Sequence, residues 1–151
     1  MSTVYTVGHS TRSLEELIKL LKAYGVGILV DVRRFPTSSI CPHFKAENLE
    51  KALKRRGIRY VWLGDKLGGF RKGGYAKYME TEDFRRGLEE LVEVIEEGEA
   101  RGVGVAIMCS EKLWFKCHRR FIADALAEKG IKVLHIIDEG RLSEHKRKRR
   151  R

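Results

Sequence analysis

The chain contains 151 residues, of which 42% are hydrophobic and 34% are charged. This length and balance fit one globular domain with a buried core and exclude a multidomain protein. The formal net charge is +10, but residues 146–151 are six consecutive cations, and the rest of the chain carries only +4. We therefore expect one domain over residues 1–140 and a basic tail over residues 141–151 that charge repulsion keeps disordered and that attracts polyanions.

The composition also predicts a cellular setting. No stretch approaches the roughly 18 apolar residues of a membrane helix, and the first 13 residues do not resemble a signal peptide, so we expect a cytoplasmic protein without membrane contact. Three cysteines, Cys41, Cys109 and Cys117, are too few for a disulfide scaffold and indicate free thiols or ligands. The chain has no glutamine and one asparagine beside many Lys, Arg and Glu residues, which is typical of thermophile proteins.

Five apolar segments alternate with amphipathic ones along the chain. The predicted strands cover residues 4–8, 28–32, 60–63, 103–109 and 133–137, and the predicted helices cover residues 14–24, 46–56, 82–101 and 117–129. The first helix begins with the capping box of Ser13 and Glu16, and Thr81 caps the third. This alternation predicts an α/β, single-domain three-layer fold with a mostly parallel central sheet of about five strands and crossover helices. Residues 35–44 and 64–78 are predicted to be long loops.

Polar residues follow every predicted strand. The carboxyl ends of parallel strands share one edge of the sheet, and ligands bind in the crevice outside that edge. The segments at these ends are Gly8-His9-Ser10, Asp31-Val32-Arg33-Arg34, Gly64-Asp65, Cys109-Ser110-Glu111 and Asp138-Glu139. Independent strands have no packing reason to end in this way, so the convergence predicts a polar ligand site at that edge.

The two arginines after the second strand have two interpretations. A guanidinium group matches phosphate or carboxylate, so Arg33 and Arg34 are candidates for binding an anion. Because side chains alternate along a strand, Asp31 and Arg33 also lie on one side and can form a structural ion pair. The sequence favours neither interpretation.

The segment from Cys109 to Arg119 contains the densest group of reactive residues. Cys109 is predicted to end a buried strand. Cys117 is predicted to begin the next helix, where backbone N–H groups and the helix dipole favour a thiolate or a bound anion. His118 and Arg119 then lie in the first helical turn. The spacing differs from that of cysteine phosphatases, because residue 115 is Phe rather than Arg.

A metal site is a weaker interpretation of the same segment. Cys109, Cys117 and His118, with His9, are residue types that bind zinc, but no Cys-x-x-Cys pair is present. We therefore predict no metal, and a small buried hydrophobic residue is the favoured interpretation of Cys109.

Three further features have a structural and a functional interpretation. His9 either contacts a ligand or bonds to a neighbouring loop, and His135 within the last strand fits a structural role better. Gly68 and Gly69 either let the backbone approach a phosphate or form an ordinary turn.

Several motifs resemble those of the family catalogued as domain of unknown function 488. They are Val7-Gly8-His9-Ser10, Asp31-Val32-Arg33 with Pro36 and Ser38, Leu67-Gly68-Gly69, Met108-Cys109-Ser110-Glu111 and Cys117-His118-Arg119. The resemblance extends from Val4 to about Asp138. It implies a compact α/β domain, and it implies no reaction, cofactor or substrate.

The sequence as a whole predicts a polar, anion-binding pocket at the carboxyl ends of the strands. The expected ligand is a phosphorylated compound such as a nucleotide or a nucleic acid. The catalytic candidates are His9, Glu111 and His118, and the ligand-binding candidates are Ser10, Asp31, Arg33, Arg34, Gly68, Gly69, Cys109, Cys117 and Arg119. Two alternatives stay open: a non-catalytic module that binds nucleic acid through the basic tail, and a metal- or redox-responsive thiol protein.

Overall fold

The computed structural model describes residues 2–36 and 44–146. Its centre is a six-stranded sheet in the order β3-β2-β4-β1-β5-β6. The strands are β1 (Thr3–Gly8), β2 (Val26–Asp31), β3 (Arg59–Trp62), β4 (Gly104–Cys109), β5 (Lys132–Asp138) and β6 (Arg141–Glu144). The first five run parallel, and β6 pairs antiparallel with β5. All five predicted strands are confirmed, with ends shifted by one or two residues.

In residues 2–36 and 44–146, six α-helices connect these strands. They are α1 (Leu14–Ala23), α2 (Ala46–Arg55), α3 (Gly64–Leu67), α4 (Tyr75–Tyr78), α5 (Glu82–Arg101) and α6 (Arg119–Glu128), and a 3₁₀ helix covers Trp114–Lys116. The predicted capping box is present, because Ser13 and Glu16 each accept a hydrogen bond from the backbone N–H of the other. Within the described residues, no helix combines the length and apolar content needed to cross a membrane.

The helices cover both faces of the sheet and make the predicted three layers. Leu17 and Leu21 of α1 and Leu49 and Leu53 of α2 pack with one face. Leu91 and Ile95 of α5 and Ile122 and Leu126 of α6 pack with the other. Every one of these side chains is at most 1% exposed, so burial of apolar surface on two sides stabilises the parallel sheet.

The structure differs from the sequence prediction in three places. Residues 141–144, which we assigned to the tail, form strand β6, whose short polar sequence lacks the apolar pattern of a strand. The predicted loop over residues 64–78 contains the one-turn helices α3 and α4. Helix α6 begins at Arg119 rather than Cys117, because Cys117 is in an extended conformation. Ser38, Cys41 and tail residues 147–151 lie outside the described residues.

The segments that follow the strands pass to different faces of the sheet, and the change of face occurs at the centre of the sheet. After β1 and β2 the chain passes to the face covered by α1 and α2, whereas after β3 and β4 it passes to the face covered by α5 and α6. Strand β4 lies between β2 and β1, so its following loop departs in the opposite direction from those of both neighbours. Such a division leaves a crevice at the carboxyl ends of the strands, which is where ligands bind in folds of this kind.

Candidate functional site

A cavity of about 750 Å³ occupies this crevice, a size common for small-molecule sites. The ends of β1, β2 and β4 contribute to its wall, together with the glycine-rich segment before α4 and the start of α6. Its lining residues are His9, Arg33, Arg34, Phe35, Gly69, Phe70, Arg71, Gly74, Tyr75, Cys109, Ser110, Glu111, Lys116, Cys117, His118 and Phe121. The cavity therefore lies at the carboxyl ends of β1, β2 and β4, which are three of the five predicted strands.

A buried ion pair between Asp31 and Arg33 stabilises the cavity wall beside β2. Arg33 Nε and Nη2 donate to the two carboxylate oxygens of Asp31 at 2.9 and 2.7 Å. The hydroxyl of Tyr60 donates to the same carboxylate at 2.6 Å. Burial opposes the charge of Arg33, but Asp31 stabilises it and leaves the pKa of the guanidinium raised. The structural interpretation of Asp31 and Arg33 is thus observed, and Asp31, fully buried behind Arg33, does not line the cavity.

His9 lies against Arg33 in the same wall. Its Nε2 is 3.5 Å from Arg33 Nη1, and its ring stacks on Phe44 with centroids 4.3 Å apart. Gly8 precedes it at a point where a Cβ atom would collide with the backbone carbonyl of Glu111. Glycine at position 8 therefore lets the segment after β4 close over the end of β1 and brings Glu111 to the cavity.

His118 connects α6 to the end of β2. Its Nε2 lies 2.9 Å from the carbonyl oxygen of Val32, which can only accept, so Nε2 carries the proton. Burial lowers the pKa of His118, and the ring is therefore neutral at pH 7. Its unprotonated Nδ1 lies toward Gly69, where a Cβ atom would be only 3.1 Å away. The second ring nitrogen is thus a hydrogen-bond acceptor on the cavity wall.

Two cysteines meet beside His118. The sulfurs of Cys109 and Cys117 are 2.9 Å apart, and both residues are free thiols. The backbone N–H and the Nε of Arg119 each donate to Cys117 Sγ at 3.4 Å. The hydrogen bond from Cys109, aided by Arg119 against the effect of burial, lowers the pKa of Cys117 to about 6. Burial and the bond to Cys117 raise the pKa of Cys109, so Cys117 is the more acidic thiol of the pair.

Arg119 also begins a hydrogen-bonded chain that runs through side chains of β1 and β5 and returns to α6. Its Nη1 donates to Thr6 Oγ1, which lies 2.6 Å from His135 Nδ1. His135 Nε2 lies 2.9 Å from His145 Nδ1, and His145 Nε2 lies 2.6 Å from the carboxylate of Asp124. Along this chain each group can donate one hydrogen bond to the next, from the guanidinium to the carboxylate. The predicted structural role of His135 agrees with this arrangement.

His135, within this hydrogen-bonded chain, makes the free energy of unfolding depend on pH. Burial, with His145 and Arg119 nearby, lowers the pKa of His135 to about 3, whereas the unfolded side chain titrates near 6.5. Between these values only the unfolded state gains the proton, so stability falls as the pH falls, by at most about 1.4 kcal/mol per pH unit from this residue.

Denaturant titrations at pH 7, 6, 5 and 4 measure the effect. We expect the decline to be shallower in His135→Gln, whose amide can still donate and accept but does not titrate. Equal slopes in the two proteins would contradict the assignment of a neutral, buried His135.

The remaining predicted residues lie near the cavity rather than in its lining. Ser10 lies at the edge of the crevice, where its N–H donates to the Ser110 carbonyl. Gly68 packs against Arg34. Arg119 is 1% exposed behind Cys117. Of the other strand ends, Asp138 pairs with Arg12 at 3.4 Å, outside the cavity.

Part of the cavity lining comes from residues that no sequence motif marks. The lining residues that the sequence does not predict as site residues are Phe35, Phe70, Arg71, Gly74, Tyr75, Lys116 and Phe121. The unusual length of the predicted loop over residues 64–78 was the available signal, because long loops in compact domains are often functional.

The geometry does not support the zinc interpretation. The two ring nitrogens of His118 meet Val32 and Gly69 rather than the sulfurs. Across residues 2–36 and 44–146, no three His, Cys, Asp or Glu side chains are grouped in a way that could hold a metal ion.

The fold and the cavity together define an α/β protein with a thiol-containing, arginine-rich pocket at the carboxyl ends of its strands. A family model described as "Domain of unknown function DUF488" matches residues 13–126. The chain belongs to this family. The match extends from Ser13 into α6 and includes the Cys109 to Arg119 segment, which confirms the resemblance to this family, whereas the Val7-Gly8-His9-Ser10 motif lies outside the matched residues. Searches among curated proteins and among solved structures gave no significant match.

Proposed function

We propose that the cavity binds a phosphorylated ligand of nucleotide size. The observation that carries this proposal is an excess of positive charge around a partly open cavity. Four cationic side chains line the cavity, Arg33, Arg34, Arg71 and Lys116, against the single carboxylate of Glu111. Positive groups in a partly water-excluded cleft attract an anion more strongly than the same groups do on an open surface.

The positive charges of Arg34, Arg71 and Lys116 are not neutralised by a carboxylate among the described residues. Arg34 donates to the carbonyl of Phe70 at 2.6 Å, and Arg71 donates to the carbonyls of Gly68 and Asp65. In the part of the chain that the structure describes, neither these arginines nor Lys116 forms an ion pair with a carboxylate. Backbone carbonyls orient a guanidinium without neutralising it, so a phosphate remains the complementary partner.

The rim of the cavity adds aromatic surface. Phe35 and Phe70 are 64% and 87% exposed, and their ring centroids are 6.3 Å apart. Tyr75 and Phe121 also line the cavity, and their rings stack with centroids 5.5 Å apart. Exposed aromatic rings beside cations suit a ligand with a flat base and a phosphate, because bases stack on such rings.

In the proposed complex, His9, His118 and Glu111 each have a role toward the bound ligand. His118 presents an unprotonated nitrogen to the cavity wall, and His9 lies next to Arg33. Both can accept a proton from a bound ligand or orient it. Glu111 opposes the cations and favours a ligand that also carries a positive or hydrogen-bond-donating group.

Calorimetric titration with ATP, inorganic phosphate and a short single-stranded oligonucleotide tests the proposal. We expect saturable ATP binding by the full chain and by a chain ending at Lys146. Arg34→Ala and Lys116→Ala should each weaken ATP binding by about tenfold or more, which corresponds to the loss of one charge-assisted hydrogen bond.

Matched controls remove cations elsewhere. Arg101→Ala, at the end of α5, and Lys132→Ala, at the start of β5, lie at the opposite edge of the sheet and should leave binding unchanged. Binding that requires residues 147–151, or that all four substitutions weaken equally, would favour the non-catalytic nucleic-acid module instead.

A further inference from the structure

The strongest unexplained feature of the molecule is the charge of Arg119. The side chain is 1% exposed and its guanidinium is permanently positive. Its donors meet the carbonyls of Glu111 and Lys112, the hydroxyl of Thr6 and the sulfur of Cys117. Among the described residues, none of these partners is a carboxylate, although a buried cation is costly without an anion beside it.

Cys117 is the group in contact with Arg119 that can supply the negative charge. Its sulfur receives both the side-chain Nε and the backbone N–H of Arg119 at 3.4 Å. A thiolate accepts such bonds better than a thiol does, and its charge balances the guanidinium. The lowered pKa of Cys117, about 6, agrees with this independent argument from charge.

Cys109 provides a second thiol, which is protonated and lies next to Cys117. It is 2% exposed behind Cys117, and its raised pKa keeps it protonated. The two sulfurs are 2.9 Å apart, compared with about 2.05 Å in a disulfide. Cys117 lies in the extended segment before α6, outside regular structure, so the shift needed to join the sulfurs is small.

We propose that Cys117 and Cys109 are a hydroperoxide-reducing thiol pair that ends as an intramolecular disulfide. The Cys117 thiolate attacks one oxygen of the peroxide, the O–O bond breaks, and the leaving hydroxide takes a proton from solvent to give water. Cys117 is then a sulfenic acid. The sulfur of Cys109 attacks it, the S–O bond breaks, and the Cys109 proton leaves with the hydroxyl as a second water. The two sulfurs lose two electrons and the peroxide gains them.

The geometry favours a small oxidant of this class. Both cysteines line the cavity, but Cys117 is partly exposed whereas Cys109 is buried, so an entering molecule meets Cys117 first. Hydrogen peroxide leaves only one oxygen atom on Cys117, and Cys109 can therefore still reach the sulfur. This inference goes beyond anion binding, because it needs neither a phosphate nor the cationic rim.

The test uses the full chain carrying Cys41→Ser, which removes the third cysteine. One equivalent of hydrogen peroxide at pH 7 should give a protein lighter by two hydrogen atoms, with peptide mapping showing a Cys109–Cys117 disulfide. A further Cys109→Ser substitution should stop the reaction at a Cys117 sulfenic acid that dimedone traps. A further Cys117→Ser substitution should slow peroxide consumption by about tenfold or more, because the remaining thiol is protonated.

Circular dichroism shows whether each variant is folded. A second measurement tests the proposal without Cys117→Ser, in case that variant does not fold. In the Cys41→Ser chain, iodoacetamide should label Cys117 with a pH midpoint near 6, and prior labelling should abolish peroxide consumption. Trapping on Cys109 rather than Cys117, no intramolecular disulfide, or peroxide consumption equal to that of free cysteine would each overturn the proposal. Loss of ATP binding alone would leave these results unchanged, so the two proposals fail separately.

Discussion

Replacing Asp31 with alanine is expected to lower the free energy of unfolding by about 3–5 kcal/mol. The substitution leaves the guanidinium of Arg33 buried with no carboxylate beside it and removes the acceptor of the Tyr60 hydroxyl. Breaking one side of a buried ion pair costs far more than the pair contributes as a whole, because the remaining charge stays out of water without compensation.

Denaturant unfolding at pH 7 measures this loss, and two substitutions calibrate it. Tyr60→Phe removes only one hydrogen bond to Asp31 and should cost about 1–2 kcal/mol. Glu15→Ala breaks the exposed pair with Arg56, whose atoms are 3.1 Å apart, and should change stability by less than about 1 kcal/mol. A loss below about 1 kcal/mol in Asp31→Ala would show that Arg33 does not depend on this carboxylate.

Replacing Arg119 with methionine is expected to have the second large effect, on stability and on thiol chemistry together. The carbonyls of Glu111 and Lys112 lose their donor, and the hydroxyl of Thr6 loses the first bond of the chain to Asp124. We expect a loss of about 3 kcal/mol or more in unfolding free energy, since several buried polar groups become unpaired at once.

The same substitution should raise the pKa of Cys117 from about 6 toward the ordinary value of about 8.5. The pH dependence of iodoacetamide labelling measures it in the folded protein. Arg119→Lys is the matched variant, because it keeps the charge but lacks the planar group that reaches Cys117 and the two carbonyls together. It should retain part of the lowered pKa while losing stability. An unchanged labelling profile in Arg119→Met would contradict the assigned role of the guanidinium.

The sequence predicted the sheet well because its signals are local. Apolar runs such as residues 103–109 are long enough to identify a strand buried on both faces, and Ser13 with Glu16 marks the start of a helix. Strand β6 was missed because its pairing with β5 depends on tertiary context, including the bond from the His145 N–H to the Val133 carbonyl, rather than on its own composition.

The candidate site was predicted in location more than in detail. The rule that strand carboxyl ends share an edge brought His9, Arg33 and Cys109 together, as the structure does. The rule does not say which ends belong to one crevice. That depends on the order β2-β4-β1, which the sequence did not reveal, so the end of β5 was included although Asp138 pairs with Arg12.

The role of Arg119 also could not be inferred from residue type. A guanidinium near a helix start suits anion binding, and the sequence assigned it to the ligand. In the structure the side chain is buried behind Cys117 and donates to backbone carbonyls and a sulfur. These contacts include Thr6, 113 positions away in the chain, which no local pattern contains.

The most direct test of the central claim, that the cavity is a ligand site, is an NMR titration of the uniformly ¹⁵N-labelled full chain with ATP. We predict saturable shifts of the backbone amides around the cavity, in residues 9–10, 33–35, 68–75 and 109–118, with smaller changes elsewhere in the domain. Shifts confined to residues 147–151, or the absence of saturable shifts at the cavity, would contradict the account.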